Sequence, residues 1–193
     1  MDLLFDKQAD PATRRECRGA GARLQSPRLD PAAIVIRRLR QSDADSVRAG
    51  FDRLSPQARL DRWGHAVVRP ARELAWLSEL AGSEHLAVGA CDGARGAPVG
   101  LARYVRSGID VAEIAVTVLD EWQRRGLGRR LLEELCDEAR AHGVRTLTAA
   151  IGAENLRAIR LFASLGARRT DPTDHGLLGY ALALSRAPDG AAS

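Results

Sequence analysis

The run Glu113-Ile-Ala-Val-Thr-Val-Leu-Asp-Glu-Trp-Gln123-Arg-Arg-Gly126-Leu-Gly128-Arg-Arg-Leu-Leu132 joins an alternating β-branched stretch to a leucine-rich one through a short glycine-bearing turn. Residues 111–118 carry the period of a strand. From Gly126 to His142 the apolar positions Leu127, Leu131, Leu132, Leu135, Cys136 and Ala139 carry the period of a helix, which Gly143 ends. A strand that turns directly into a helix aims unpaired backbone N–H groups and the positive helix end at one point, which suits a phosphate. Gly126 and Gly128 let a ligand approach the backbone, and Arg124, Arg125, Arg129 and Arg130 add positive charge nearby. The run has neither the Gly-Lys-Ser/Thr ending of a nucleoside triphosphate loop nor a Gly-x-Gly-x-x-Gly dinucleotide fingerprint.

Outward from this junction, residues 146–151 read as a strand, 155–165 as a helix closed by Gly166, and 177–184 as a last strand. Upstream, residues 85–91 and 98–105 read as a hairpin around Asp92-Gly-Ala-Arg-Gly96, and the β-branched run at 33–38 as a first strand. Ser42 is expected to cap a helix running to about Leu54. Ser55-Pro56 restarts the helix, and 70–80 forms another amphipathic segment. Hairpins combined with one strand-helix-strand crossover imply a mixed, mostly antiparallel sheet of six to seven strands flanked by helices. Residues 1–30 show no sustained period and are expected to form a tail, 31–186 the single domain, and 187–193 a second tail.

Two motifs carry a family resemblance. Gln123-Arg-Arg-Gly126-Leu-Gly128 resembles the Gln/Arg-x-x-Gly-x-Gly/Ala pyrophosphate loop of GNAT-superfamily N-acyltransferases. Asn155-Leu-Arg-Ala158-Ile-Arg-Leu161-Phe162-Ala-Ser-Leu-Gly166 resembles that superfamily's Asn-x-x-Ala-x-x-Leu-Tyr helix. Leu54-Ser-Pro-x-x-Arg59, Gly100-Leu-Ala-Arg-Tyr104, Ala112-Glu-Ile-Ala-Val and Asp120-Glu-Trp-Gln123 are further similar to bacterial Pat-type protein lysine acetyltransferases. The resemblance implies an α/β GNAT fold with a strand-helix-strand core that binds coenzyme A, and acetyl-CoA as acyl donor. The acceptor it implies is an amine, with a protein lysine favoured over a small amine, amino acid or antibiotic. A non-catalytic acyl-CoA-binding module is the other class it leaves open.

An ammonium of pKa ~10.4 must lose a proton before it attacks a thioester, and a carboxylate can take that proton directly or through water. By the resemblance Glu113 is that base; by pattern alone it is a solvated strand carboxylate facing away from Ile114, Val116 and Val118. The resemblance also implies a splayed strand pair that leaves the backbone of Val116 and Val118 free for the pantetheine arm and the thioester carbonyl. It puts Gln123, Arg124, Arg125, Gly126, Leu127, Gly128 and Arg129 at the pyrophosphate, and Asn155 and Phe162 near the arm. Asn155 reads equally as a helix N-cap. Phe162 stands where the family often has the tyrosine that protonates the departing thiolate; Tyr104, Tyr180 or water are left for that role, and a thiol of pKa ~8.5 also leaves unaided. The acceptor pocket is expected from 51–71 and 170–178.

Composition narrows the field. A chain of 193 residues with 45% hydrophobic and 28% charged residues fits one globular domain, with no apolar run of membrane-spanning length and no secretory leader pattern. A cytoplasmic monomer or homodimer is expected. Three cysteines (Cys17, Cys91, Cys136) and four histidines (His65, His85, His142, His175) lack ligand or disulfide spacing, so no metal is expected, and Cys91 and Cys136 read as core residues. The net charge of +4 is spread as arginine along the chain, with Lys7 the only lysine and few aromatics beside it, which argues against nucleic acid.

Overall fold

In the computed structural model, residues 34–63, 84–170 and 177–184 are described. The expected tails at 1–30 and 187–193, the 70–80 helix, and the parts of the acceptor segments beyond Trp63 and between 171 and 176 lie outside them. Strands β1 (Ile34–Arg38), β2 (His85–Asp92), β3 (Pro98–Arg106) and β4 (Val111–Val118) are antiparallel neighbours in chain order. Helix α3 (Leu127–Ala141) carries the chain across to β5 (Thr146–Ile151), which lies parallel to β4. β5 then pairs antiparallel with β7 (Leu178–Ala183), and the two-residue β6 (Arg168–Arg169) closes the order β1-β2-β3-β4-β5-β7-β6. One parallel pair in an otherwise antiparallel sheet is the mixed topology expected from one crossover among hairpins.

The leucine stripe of α3 explains the main core. Leu127, Leu131, Leu132, Leu135, Cys136 and Ala139 are buried against Leu86, Val88, Tyr104, Ile114 and Leu147 of the sheet. Each large side chain so buried contributes about 1.5–3 kcal/mol. α4 (Leu156–Ser164) adds Phe162 to the same cluster. On the opposite sheet face α1 (Ala44–Asp52) seats Val47 on Leu39, Ala87 and Leu101. The corner into α2 (Pro56–Trp63) packs Leu54 and Ala58 on Leu119.

Ser42 does not start the first helix. It lies in a 3-10 turn (Gln41–Asp43), and α1 follows from Ala44. The organising group is Asp43, whose carboxylate accepts from both Arg37 guanidinium nitrogens (2.8 and 2.6 Å) and from the Arg40 N–H (2.8 Å). The turn is thereby stitched to β1.

The Arg37 hydrogen bonds, followed by that from Arg40, hold the Asp43 carboxyl down to about 2 against the opposing effect of burial. A carboxyl lowered in the folded state stabilises it above the ordinary carboxylate value, and that stabilisation is lost as pH falls through the folded one. With Arg37 half exposed, about 1 kcal/mol is expected. Asp43→Asn should therefore lower the melting temperature at pH 7 by about 2–4 °C, the gap narrowing as pH falls from about 5 toward 2. Melting curves across that range check it; a gap independent of pH would show that the charge of Asp43 is not what stabilises the turn.

Candidate functional site

β4 and β5 pair over only three positions, Val111 with Thr146, Ala112 with Leu147 and Glu113 with Thr148. Beyond Glu113 the strands diverge, while β4 stays paired with β3 up to Val118 and β5 stays paired with β7 up to Ile151. The Leu119 N–H donates to Val99 on β3, and the Thr148 hydroxyl to the Ala112 carbonyl on the other side. Backbone direction alternates along a strand, so the N–H and C=O groups of Val116 and Val118 face the diverging side, beyond the end of the ladder, whereas the Ile114 N–H faces Thr148 within the last pair. The Val118 carbonyl accepts from the Gln123 side-chain amide at 3.0 Å, so of the Val118 backbone groups expected near the arm the carbonyl already has a partner.

A cavity of about 470 Å³ opens where the strands part. Among its lining residues are Val116, Thr117 and Val118 of β4, Gln123, Arg124, Gly126, Gly128 and Arg129 of the turn and α3, and Asn155, Arg157, Ala158, Arg160 and Leu161 at the start of α4. Ala58 of α2 also lines it.

The turn is shaped for donors. Arg124 and Gly126 both take positive φ (59° and 89°), and Gly126 serves as N-cap of α3 with no side chain capping the first N–H groups. Successive amides bent this way form a concave anion-binding nest at the positive end of a helix. Gly128 is needed for room rather than for backbone angle: a Cβ there would lie 3.2 Å from Leu161 and 3.8 Å from Val118, at the throat between α3, α4 and β4.

Eight of the expected binding residues therefore meet at one cavity: Val116, Val118, Gln123, Arg124, Gly126, Gly128, Arg129 and Asn155. Three do not line it. The Arg125 guanidinium lies over the Trp122 ring, 5.5 Å from its centroid. Leu127 puts its side chain into the core and can offer only its backbone. Phe162 is buried at 3% exposure with its ring 6.5 Å from that of Tyr180, so it supports α4 from behind. Tyr180 and Tyr104 are likewise buried and do not line the cavity.

Asn155 fulfils its capping role, its side-chain oxygen accepting from the Ala158 N–H at 3.1 Å, while also forming part of the wall. Glu113 is exposed at the last paired position of β4 and is not part of the cavity lining. It lies three residues, about 10 Å of strand, before Val116.

Sequence reasoning missed Arg157 and Arg160. Arg157 donates to the Gln123 side-chain oxygen at 2.5 Å, tying the start of α4 to the turn, and Arg160 follows three residues later on the same helical flank. Both lie inside the quoted Asn155 motif, but only the cavity reveals their orientation. With Arg124 and Arg129 they give the mouth four guanidinium groups, one of them, Arg129, also paired with Glu133 at 2.8 Å. The polar donors and the positive charge, beside the apolar side chains of Val116, Val118 and Leu161, suit a polyphosphate carried on a less polar arm.

Burial lifts the Cys136 thiol to about 11 and pushes that of Cys91 up as well, so neither is poised as a nucleophile. No group of three or more His, Cys, Asp or Glu able to hold a metal occurs among the described residues. A second, smaller cavity of about 90 Å³ lies between α1 and the sheet, walled by Val47, Phe51, Leu54 and Leu101.

Known proteins share this fold. A Salmonella typhimurium protein, yncA, solved with its cofactor acetyl-CoA, superposes with a TM-score of 0.64 at 27% identity, covering 81% of this chain and 98% of its own. The GNAT domain of S. lividans PAT superposes at 0.71 with 22% identity, covering 77% and 89%. Among curated sequences, the Salmonella typhimurium [ribosomal protein bS18]-alanine N-acetyltransferase is 51% identical over 51 residues, 26% of this chain and 34% of that protein. Acetyltransferase Pat of Mycolicibacterium smegmatis is 33% identical over 105 residues, 53% of this chain and 32% of that protein. The chain thus spans about a third of the length of the curated relatives it matches. The model of the acetyltransferase (GNAT) family matches residues 48–167, from α1 through the end of α4, and the chain belongs to that family.

Proposed function

We propose that this chain is a cytoplasmic acyl-CoA-dependent N-acyltransferase that transfers an acetyl or short acyl group to an amine in a ternary complex. The observation that carries this reading is the cavity at the parting of β4 and β5, whose floor is an uncapped helix N-terminus and whose wall is the unladdered edge of β4. The residues fit acetyl-CoA: the amides at 127–129 and Arg129 would hold its pyrophosphate, Gly128 leaves it room, and the Val116 and Val118 N–H groups would bond the arm. Bound there, the cofactor would supply a thioester carbonyl reactive toward amines. An N–H aimed at that oxygen would stabilise the charge developing on it as the amine attacks.

Glu113 supplies the base in this reading. Its distance along β4 from Val116 favours transfer through an intervening water, and its exposure allows a water to reach it. The favoured acceptor is a protein lysine. The local identity to a bS18-alanine N-acetyltransferase supports a second acceptor class, a protein α-amine. The two place different demands on the base: at pH 7 only about 0.04% of a lysine amine is neutral, against about 10–15% of an α-amine.

Saturating acetyl-CoA, at about 100 times its Kd, should stabilise the fold by ~2.7 kcal/mol and raise the melting temperature by about 5–10 °C. Gly128→Glu, which adds bulk at the throat and a negative charge beside the phosphates, should abolish the shift. An unchanged melting temperature of the folded wild type would refute acetyl-CoA as ligand.

For catalysis, Glu113→Gln should spare acetyl-CoA affinity and lower turnover of a lysine peptide at pH 7 by ~10²–10⁴-fold, with the rate climbing toward high pH. The loss should be smaller for a peptide with a free α-amine. Wild-type turnover by the variant across the pH range would return Glu113 to the role of a solvated strand carboxylate.

A further inference from the structure

Two sequence motifs quoted above, Leu54-Ser-Pro-x-x-Arg59 and Asp120-Glu-Trp-Gln123, lie 60 or more residues apart, yet the fold locks them together. The Asp120 carboxylate accepts from the Ser55 hydroxyl at 3.0 Å and from the Ser55 N–H at 3.3 Å. Ser55 Oγ in turn accepts from the Ala58 N–H at 3.1 Å, so the residue that caps α2 is itself held by the segment that leads out of β4. Arg53 adds a second tie, donating to Glu121 at 2.5 Å and to the Pro98 carbonyl at 3.0 Å. Arg59 folds back on the end of α1 and donates to the carbonyls of Phe51, Asp52 and Leu54 (3.1–3.3 Å), fixing the corner between the helices. Leu54, Ala58 and Leu119 form a small buried cluster of their own beneath these bonds.

The placement of this lock gives it a function. Asp120 and Glu121 lie three and two residues before Gln123, which leads into the nest of amides, and Ala58, three residues beyond Ser55, lines the cavity. One end of the lock therefore belongs to the phosphate-binding turn and the other to the segment expected to receive the acceptor.

We propose that Asp120 is a positioning residue that couples the two sides of the active site: through Ser55 it holds α2 over the parted strands, so that filling the cavity orders the acceptor-side corner. The proposal rests on the reading of the cavity as an acyl-CoA site. Alanine at 120 removes both acceptor oxygens, whereas asparagine keeps one for the Ser55 hydroxyl.

Amide hydrogen exchange of the full chain with and without acetyl-CoA, on wild type, Asp120→Ala and Asp120→Asn, tests it. In the wild type acetyl-CoA should slow exchange both at 124–130 and at 52–63, by about fivefold or more at each. Asp120→Ala should retain the slowing at 124–130 and lose it at 52–63, and Asp120→Asn should fall between. A purely structural role for Asp120 would change exchange in the free protein but leave the response to ligand intact. Exchange at 52–63 that slows equally in all three proteins, or in none while 124–130 responds, overturns the lock alone. Absence of any response at 124–130 in the wild type overturns the acyl-CoA reading and the lock with it. Should the alanine variant not fold, the asparagine variant decides by the same comparison.

Discussion

The end of the ladder between β4 and β5 after the Glu113–Thr148 pair is the constraint on which the rest of the molecule depends. Unpaired strand edges inside a protein are costly unless another group takes up their hydrogen bonds. Here the strands part while each stays paired on its other edge, β4 to β3 and β5 to β7, and residues of the helices that follow them line the gap. The sheet thus keeps a row of inward-facing peptide groups available in a protected place. The same parting puts the N-termini of α3 and α4 side by side, so donors and positive charge converge where the backbone edge is open.

Two side-chain bridges keep this gap from collapsing or spreading. Gln123 joins the Val118 carbonyl to the Arg157 guanidinium, linking β4, the turn and α4 with a single side chain. Asp120 and Glu121 hold the α1–α2 corner from the other face through Ser55 and Arg53. The hydrophobic core supplies the rigidity on which both act: the α3 leucines bury against the sheet on one side, and Val47 and Leu54 anchor the first two helices on the other. Few of the site's polar contacts are buried, which fits a surface groove that must admit a large, charged ligand.

Much of this was legible from sequence where a local pattern carries the information. The α3 leucine stripe, the bounds of β5 and the glycine turn follow from periodicity and from the special conformations of glycine, and they locate the junction at which the cavity opens. What stayed hidden depends on long-range geometry. β6 is two exposed arginines, too short to show any period. The Gln123–Arg157 and Ser55–Asp120 bonds join residues 34 and 65 positions apart, which no window of sequence displays. Phe162 was read as a cofactor contact because its motif surrounds it, but on α4 the residues at 155, 158 and 161 face the cavity and position 162 turns into the core. Ser42 failed as a cap because Arg37, a strand residue, claims Asp43 and draws the turn onto β1.

In the proposed reading the open edge of β4 and the start of α3 together form the acyl-CoA site. Its most direct test is a titration of the ¹⁵N-labelled chain with acetyl-CoA, followed amide by amide. The account predicts that the resonances of Val116, Val118, Leu127, Gly128 and Arg129 move together and saturate at one concentration, while those of Val47 and Leu101 at the smaller cavity stay in place. Shifts confined to the α1 cavity, or saturation that leaves the β4 and α3 amides unmoved, would contradict it.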